Sequence, residues 1–207
     1  SGVYCTDGYI YRVHDGSSQK LMAADDIKLP GTHNLENYMA AFAATDGYVD
    51  DDTCISVAKS FSGVEHRLEQ VRVLNGVTFI NDSIGTSPTR TAAGLHALKQ
   101  KPILIAGGYD KHIPFDELGD EICLHVKKLY LTGATTEKIY DAVTKSKYFD
   151  GSLPIEKIDN FKDTVLAAAN SARDGDIVLL SPACAAFDKF KNFMERGKYF
   201  KQIVMEL

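Results

Sequence analysis

Asn81-Asp82-Ser83 with Thr86 and Ser87, Gly107-Gly108 with Lys111, and the run from Ser181 through Pro182, Ala183, Cys184, Ala185 and Ala186 to Phe187 are the stretches whose residue types could do chemistry. The first ends in Ser87-Pro88, a capping residue followed by proline, which opens a helix whose free N–H groups and dipole favour an anion. The second has two glycines that let backbone approach a ligand, and a lysine that supplies a point charge. The third is a turn of small residues after the apolar Ile177-Val178-Leu179-Leu180. Each stretch follows a segment that reads as a buried strand. All three would therefore meet at the carboxyl edge of one sheet, where open α/β folds bind ligands. A small acidic molecule bearing carboxylates suits such an edge. A plainer reading stays open, in which Thr86 and Ser87 only cap the helix and Lys111 is a solvated loop lysine.

The elements that must position these loops are legible from residue 65 onward. Val71 to Leu74, Asn75-Gly76 and Val77 to Ile80 form a hairpin signal. Helices are expected over residues 88–99, 115–123, 135–145 and 160–173, with Asn160 as a cap, and a last one over 188–197 that stops at Gly197. Between them lie strands at 102–106, 128–131, 155–158 and 177–180. Strands alternating with helices of this length predict an α/β fold with a doubly wound, mostly parallel, Rossmann-like sheet led by an N-terminal hairpin. Residues 1–62 differ. Asp7-Gly8 and Asp15-Gly16 mark turns of a small meander, followed by helices over 35–45 and 53–60, with Asn34 as the cap of the first. This stretch reads as the tail of a larger domain, so Tyr4, Ile10 and Tyr11 are expected to lack cover.

The totals narrow the class. A net charge of −5 argues against a dedicated nucleic-acid binder. No apolar run reaches membrane-spanning length, and the four scattered cysteines form no Cys-x-x-Cys. A monomeric cytoplasmic protein with small-molecule substrates, no nucleic acid and no membrane partner is the expectation. No metal-ligand spacing occurs: His14, His96, His112 and His125 read as solvated or structural, and His33 and His66 sit beside no obvious nucleophile. No catalytic residue is assigned within the chain.

Five motifs occur together in order: His33-Asn34-Leu35-Glu36-Asn37, His66-Arg67-Leu68-Glu69, Asn81-Asp82-Ser83, Gly107-Gly108-Tyr109-Asp110-Lys111 and Ser181-Pro182-Ala183-Cys184. In this register the chain resembles the Mur ligases, ATP-dependent enzymes that build the peptide stem of peptidoglycan, and is most similar to their D-glutamate-adding members. The resemblance covers essentially the whole chain. It implies that residues 1–62 are the end of the family's central ATPase domain and 63–207 its C-terminal Rossmann-like domain. It further implies that Asn34 and Asn37, one helical turn apart, contact the adenine side of ATP. Arg67 would lie near phosphate or sugar and Asp82 at the ribose hydroxyls, across the domain interface. Arg67 and Asp82 read without the resemblance are a surface ion pair.

By the same resemblance Thr86, Lys111, Ala186, Phe187 and Phe193 form a D-glutamate pocket. Phe187, Phe190 and Phe193 also fit one helical stripe, with core packing the main job of Phe190. Ile84 stands where the family has a lysine, and Ala186 where it often has a serine. The pocket is therefore expected to rely on Lys111, Thr86 and backbone N–H groups. ATP and Mg²⁺ are the implied cofactors, with UDP-N-acetylmuramoyl-L-alanine and D-glutamate as substrates. No Gly-x-x-x-x-Gly-Lys-Ser/Thr loop occurs in the 207 residues. ATP and Mg²⁺ are accordingly expected to be held mainly by sequence upstream of residue 1, and the chain alone to be inactive. A sister Mur ligase, a folate polyglutamylating enzyme and a stand-alone nucleotide or acidic-metabolite binding module remain the alternatives.

Overall fold

The computed structural model describes residues 2–29 and 31–207. Pro30 and the side chain of His33, the first residue of the first motif above, lie outside the described residues. The chain divides into two compact units, Ser1–Gly63 and Val64–Leu207.

In the first unit, β1 (Gly2–Thr6), β2 (Tyr9–His14) and β3 (Ser17–Ala23) form an antiparallel meander. Asp7 and Gly8 both have positive φ, 50° and 76°, as a two-residue hairpin turn matching strand twist requires. Two helices follow, α1 (Thr32–Ala44) and α2 (Asp51–Ser60). The Asp50 carboxylate caps α2 by accepting from the Thr53 N–H at 2.8 Å. Ile10, Met22, Tyr38, Phe42, Cys54 and Ala58 close a core of their own. Arg12 is buried against it, with Asp46 at 2.9 Å, Asp51 at 2.8 Å and the Phe42 carbonyl at 3.1 Å. Two expectations are corrected. Ile10 is fully buried and Tyr11 half-buried, so those two are better covered than expected, while Tyr4 is exposed as expected and stacks on Tyr11 at 5.3 Å. Helix α1 starts at Thr32 with Gly31 as the capping residue, so Asn34 lies in its first turn and is not the cap.

The second unit is built on a six-stranded sheet of β4 (Glu69–Leu74), β5 (Val77–Asn81), β6 (Ile103–Ala106), β7 (Lys128–Leu131), β8 (Ile155–Lys157) and β9 (Ile177–Leu180). Their spatial order is β4-β5-β9-β6-β7-β8, and only β4 is antiparallel to its neighbour. This is the mostly parallel α/β sheet, led by a hairpin, that the alternation of strands and helices predicted. Alternate residues serve opposite faces. Ile80, Leu104, Ala106, Leu129, Leu131 and Leu179 pack under α3 (Pro88–Ala97), α4 (Asp116–His125) and α5 (Thr136–Thr144). Phe79, Ile103, Ile105, Tyr130, Val178 and Leu180 pack under α6 (Phe161–Ser171) and α7 (Phe193–Glu206). Burial on both faces explains why the central strands read as unbroken apolar runs. The Asn160 side chain caps α6, accepting from the Asp163 N–H at 3.1 Å.

The last helix departs from expectation. It does not run over 188–197 but begins at Phe193 and continues to Glu206, with Asn192 as its cap. Phe187, Phe190 and Phe193 therefore share no helical stripe. Phe190 does pack in the core, against Phe161 at 5.1 Å. Gly197, read as a stop, is buried in the first turns of α7. A Cβ there would overlap His66 Nδ1 and come within 3.1 Å of Asn81 Nδ2. Glycine is present because another chain segment crosses the helix closely, not because the helix ends. An exposed Gly→Ala in a helix is worth about 1 kcal/mol of stabilisation. Gly197→Ala should instead destabilise by about 1–3 kcal/mol, the range for overpacking a filled core. Urea unfolding reads the sign directly, and a stabilised variant would contradict the crossing.

Candidate functional site

The three loops converge because β5, β9 and β6 are parallel neighbours and end at the same edge. Backbone bonds then lace the loops together. The Asp82 N–H donates to the Leu180 carbonyl at 2.7 Å, the Gly107 N–H to Pro182 at 2.8 Å, and the Tyr109 N–H to Ala185 at 2.9 Å. Gly107 has φ 113° and its missing Cβ makes room for the Thr132 carbonyl, while a Cβ on Gly108 would sit 2.5 Å from the Ala185 carbonyl. The glycine pair thus serves the close approach of protein backbone first. Thr135, at the start of α5, holds the same loop. Its hydroxyl accepts from the Gly108 N–H at 3.1 Å and lies 3.1 Å from the Cys184 sulfur.

Arg196 fastens the assembly from below. Its side chain is 2% exposed, and its Nε donates to Ser83 Oγ at 3.0 Å. Nη2 donates to the carbonyls of Ser83 at 2.9 Å and Cys184 at 3.0 Å, and Nη1 to that of Ala185 at 3.1 Å. The Ser83 hydroxyl passes the chain on to the Phe193 carbonyl at 2.8 Å. One guanidinium therefore joins the loop after β5, the turn after β9 and the first residue of α7. Burial pulls its pKa down to about 10, which leaves it charged at neutral pH. Among the described residues it forms no salt bridge, so carbonyl dipoles and a hydroxyl stabilise the charge. Ala183, in the turn it holds, has φ 60°, a left-handed conformation that costs a non-glycine residue about 1–2 kcal/mol.

Asp82 is also inward-facing, at 4% exposure. Its Oδ2 accepts from Ser181 Oγ at 2.7 Å and its Oδ1 from the Leu68 N–H at 3.2 Å. Ser181 itself is wholly buried, and its hydroxyl also lies 2.9 Å from Thr91 Oγ1, so it braces the loop from inside. Burial raises the Asp82 pKa to about 6, against the lowering effect of the Ser181 hydroxyl and the Leu68 amide. Beside it, Asn81 Nδ2 lies 2.9 Å from His66 Nδ1 and donates to Glu69 at 3.0 Å. The His66 backbone N–H donates to the same Glu69 oxygen at 3.0 Å. Burial lowers the His66 pKa, so the ring is neutral near pH 7.

Arg67 is exposed on the loop that Asp82 anchors, and the two do not form the surface ion pair considered above. Thr86 is half-buried, and Ser87 does not cap α3 with its side chain; its hydroxyl lies 3.3 Å from Thr89 Oγ1. Lys111 is exposed and has no hydrogen bond or ion pair among the described residues. Its neighbour Asp110 is already engaged by Lys138 and by the His112 N–H, which lowers the Asp110 pKa and leaves the Lys111 charge uncompensated. Ala186 is buried, Phe187 is 64% exposed and meets Tyr109 edge-on at 5.8 Å, and Phe193 meets His66 edge-on at 5.9 Å. In the first unit Asn34 is half-buried and Asn37 exposed, both on α1.

Sequence reasoning missed Arg196, Thr135 and the inward role of Ser181. One signal was present. Arg196, Phe200, Ile203 and Val204 share a helical spacing, which sets an arginine on the apolar stripe of α7.

Comparison with known proteins matches residues 66–184 to the family described as Mur ligase, glutamate ligase domain. A UDP-N-acetylmuramoylalanine–D-glutamate ligase of Clostridium botulinum is 47% identical over the whole chain, and one of Acetivibrio thermocellus 51% identical over 92% of it. The chain spans 44% and 42% of those two proteins, less than half their length. Among solved structures, Escherichia coli FolC with ADP aligns over 99% of the chain and 46% of its own, with a TM-score of 0.63 at 16% identity. A murein peptide ligase of Psychrobacter arcticus aligns over 99% and 42%, with a TM-score of 0.60 at 15% identity. Those two likenesses speak to the fold alone.

The buried Asp82 has a consequence for stability. A carboxyl whose folded pKa is raised stabilises the fold while protonated, and that contribution is lost as pH rises through the folded value. A rise from 3.8 to about 6 corresponds to roughly 3 kcal/mol. The stability of Asp82→Asn relative to the parent should therefore increase by roughly that much between about pH 4 and pH 7. Urea titrations of both proteins across this range test it, and a flat difference would show that Asp82 is not buried as described.

Proposed function

The chain belongs to the Mur ligase family, and on that premise we propose that it forms the amino-acid-binding part of a ligase that adds D-glutamate to UDP-N-acetylmuramoyl-L-alanine. The observation that carries the reading is the uncompensated Lys111 ammonium on a Gly-Gly loop laced to the small-residue turn at the carboxyl edge of the sheet. A carboxylate of the incoming amino acid pairs with Lys111, while Thr86 and the backbone of the 185–187 turn border the same edge and Phe187 and Phe193 supply apolar walls. The relatives at 47% and 51% identity, both named for D-glutamate, support this acceptor over folate or another amino acid.

The reaction consists of two displacements. The substrate carboxylate takes a phosphoryl group from ATP, giving an acyl phosphate and ADP. The amine of D-glutamate then attacks the acyl carbon, an amide forms, and phosphate leaves. Lys111 orients the amine by holding the far end of its molecule, and the laced loops exclude water from the acyl phosphate. Exposed Arg67 fits contact with a nucleotide phosphate or sugar, and Asn34 and Asn37 are the proposed adenine contacts. Asp82 has both oxygens occupied by protein, so its fit to ribose is poor. Its role in this reading is to position the loop that carries Arg67. Mg²⁺ belongs to the phosphoryl step, and no residue of this chain is assigned to it. The protein is read as cytoplasmic and monomeric.

Titration of the ¹⁵N-labelled chain with D-glutamate should shift the amides of 107–112 and 185–187, with a weaker response to L-glutamate. Lys111→Ala removes a charge-assisted bond worth roughly 1.5–3 kcal/mol, so it should weaken D-glutamate binding at least about tenfold. Unchanged D-glutamate affinity in this variant would take Lys111 out of the pocket.

A further inference from the structure

A second cluster lies on the helical layer formed by α3, α4 and α5. His96 near the end of α3, and Glu121 and His125 in the last turn of α4, bring three ligand atoms within 4.8 Å of one another. His96 Nε2 is 2.5 Å from Glu121 Oε2, and His125 Nε2 is 3.4 Å from the same oxygen. The two imidazole rings meet edge-on at 4.9 Å. Two imidazole nitrogens and a carboxylate oxygen converging on one point are a donor set suited to a divalent cation.

We propose that His96, Glu121 and His125 form a binding site for a zinc-class divalent cation. Imidazole nitrogens with one carboxylate select zinc, cobalt or nickel over magnesium and calcium, which prefer oxygen ligands throughout. Metal–ligand bonds of 2.0–2.2 Å at tetrahedral angles set donors about 3.3 Å apart. The His125–Glu121 spacing already fits, and exposed His96 has to draw back from Glu121 by a side-chain rotation. Three protein ligands leave a fourth position for water, and His96 and Glu121 also line a groove of about 640 Å³ that runs along α3 and α4 to Ser87. A cation there staples the end of α3 to the end of α4. The cluster sits toward the C-terminal ends of α3 and α4, opposite the helix starts that follow the loops of the candidate site, so cation binding is read separately from the ligase reading.

The other grouping of this kind among the described residues, Glu65, His66 and Glu69, is already engaged. His66 is buried against Asn81, and Lys201 binds both carboxylates.

The test uses the full 207-residue chain with Co²⁺ and Zn²⁺. Co²⁺ should give visible d–d absorption that saturates at one equivalent and is displaced by Zn²⁺ but not by excess Mg²⁺. Loss of an outer-shell partner alone costs 10–100-fold in affinity. His96→Ala, His125→Ala and Glu121→Gln should therefore each weaken Zn²⁺ by at least about tenfold, and the melting-temperature rise seen with the parent should shrink in each. All three positions are at the surface or half-buried, and an unchanged far-ultraviolet spectrum confirms that the variants fold. No saturable binding by the parent, or binding left intact in His96→Ala and His125→Ala, would overturn the proposal.

Discussion

The buried Arg196 guanidinium is the constraint on which the ligand edge depends. Placing a charge in a protein interior carries a penalty of several kcal/mol unless hydrogen bonds replace the lost water. Here Ser83 Oγ and the carbonyls of Ser83, Cys184 and Ala185 replace it, and each belongs to a loop that has left the sheet. The Ala185 carbonyl also accepts from the Tyr109 N–H, so one oxygen ties the guanidinium to the Gly107-Gly108 loop. Each side therefore needs the other, and the loops keep one shape. Lysine could not substitute, because the fork of a guanidinium reaches several acceptors in one plane while an ammonium is a single point.

From this one group the rest of the site follows outward. Helix α7 must present Arg196 under the loops, so the helix lies close against the His66 strand approach, and Gly197 gives the clearance. Ser83 fixes the chain after β5, which leaves Asp82 pointing inward to Ser181 and the Leu68 amide. Asp82 in turn sets the loop that exposes Arg67. Across the sheet, Thr135 and the Ala185 carbonyl hold Gly108 and Tyr109, so that Lys111 leaves the surface from a braced loop. The polar groups most tightly held are inside, and the charged groups at the surface, Lys111 and Arg67, are carried by them.

Much of this was legible in the sequence and some was not, for physical reasons. Strands such as 103–106 and 177–180 were readable because burial on both faces writes an unbroken apolar run. Asn75-Gly76 fixed its hairpin because few other residues adopt two successive positive φ values. The end of the chain misled because glycine is ambiguous: it stops helices, and it also admits a crossing segment, and only the partner tells which. The loops of the candidate site were found, but their residues were sorted wrongly between inside and outside. Ser181, whose residue type suggests a ligand contact, braces Asp82, and Asp82 itself is buried. Strand alternation does not extend into loops, so no period reports which way a loop side chain points.

The role given to Arg196 is open to a direct measurement, amide hydrogen exchange on the 207-residue chain and on Arg196→Lys. The substitution should raise exchange at Gly107, Tyr109 and Asp82, whose N–H groups join the loops, by at least about tenfold. Amides inside β6, such as Leu104 and Ile105, should keep their protection, since their ladder does not pass through Arg196. Unchanged protection of the three loop amides in a folded Arg196→Lys protein would contradict the claim that this guanidinium holds the ligand edge together.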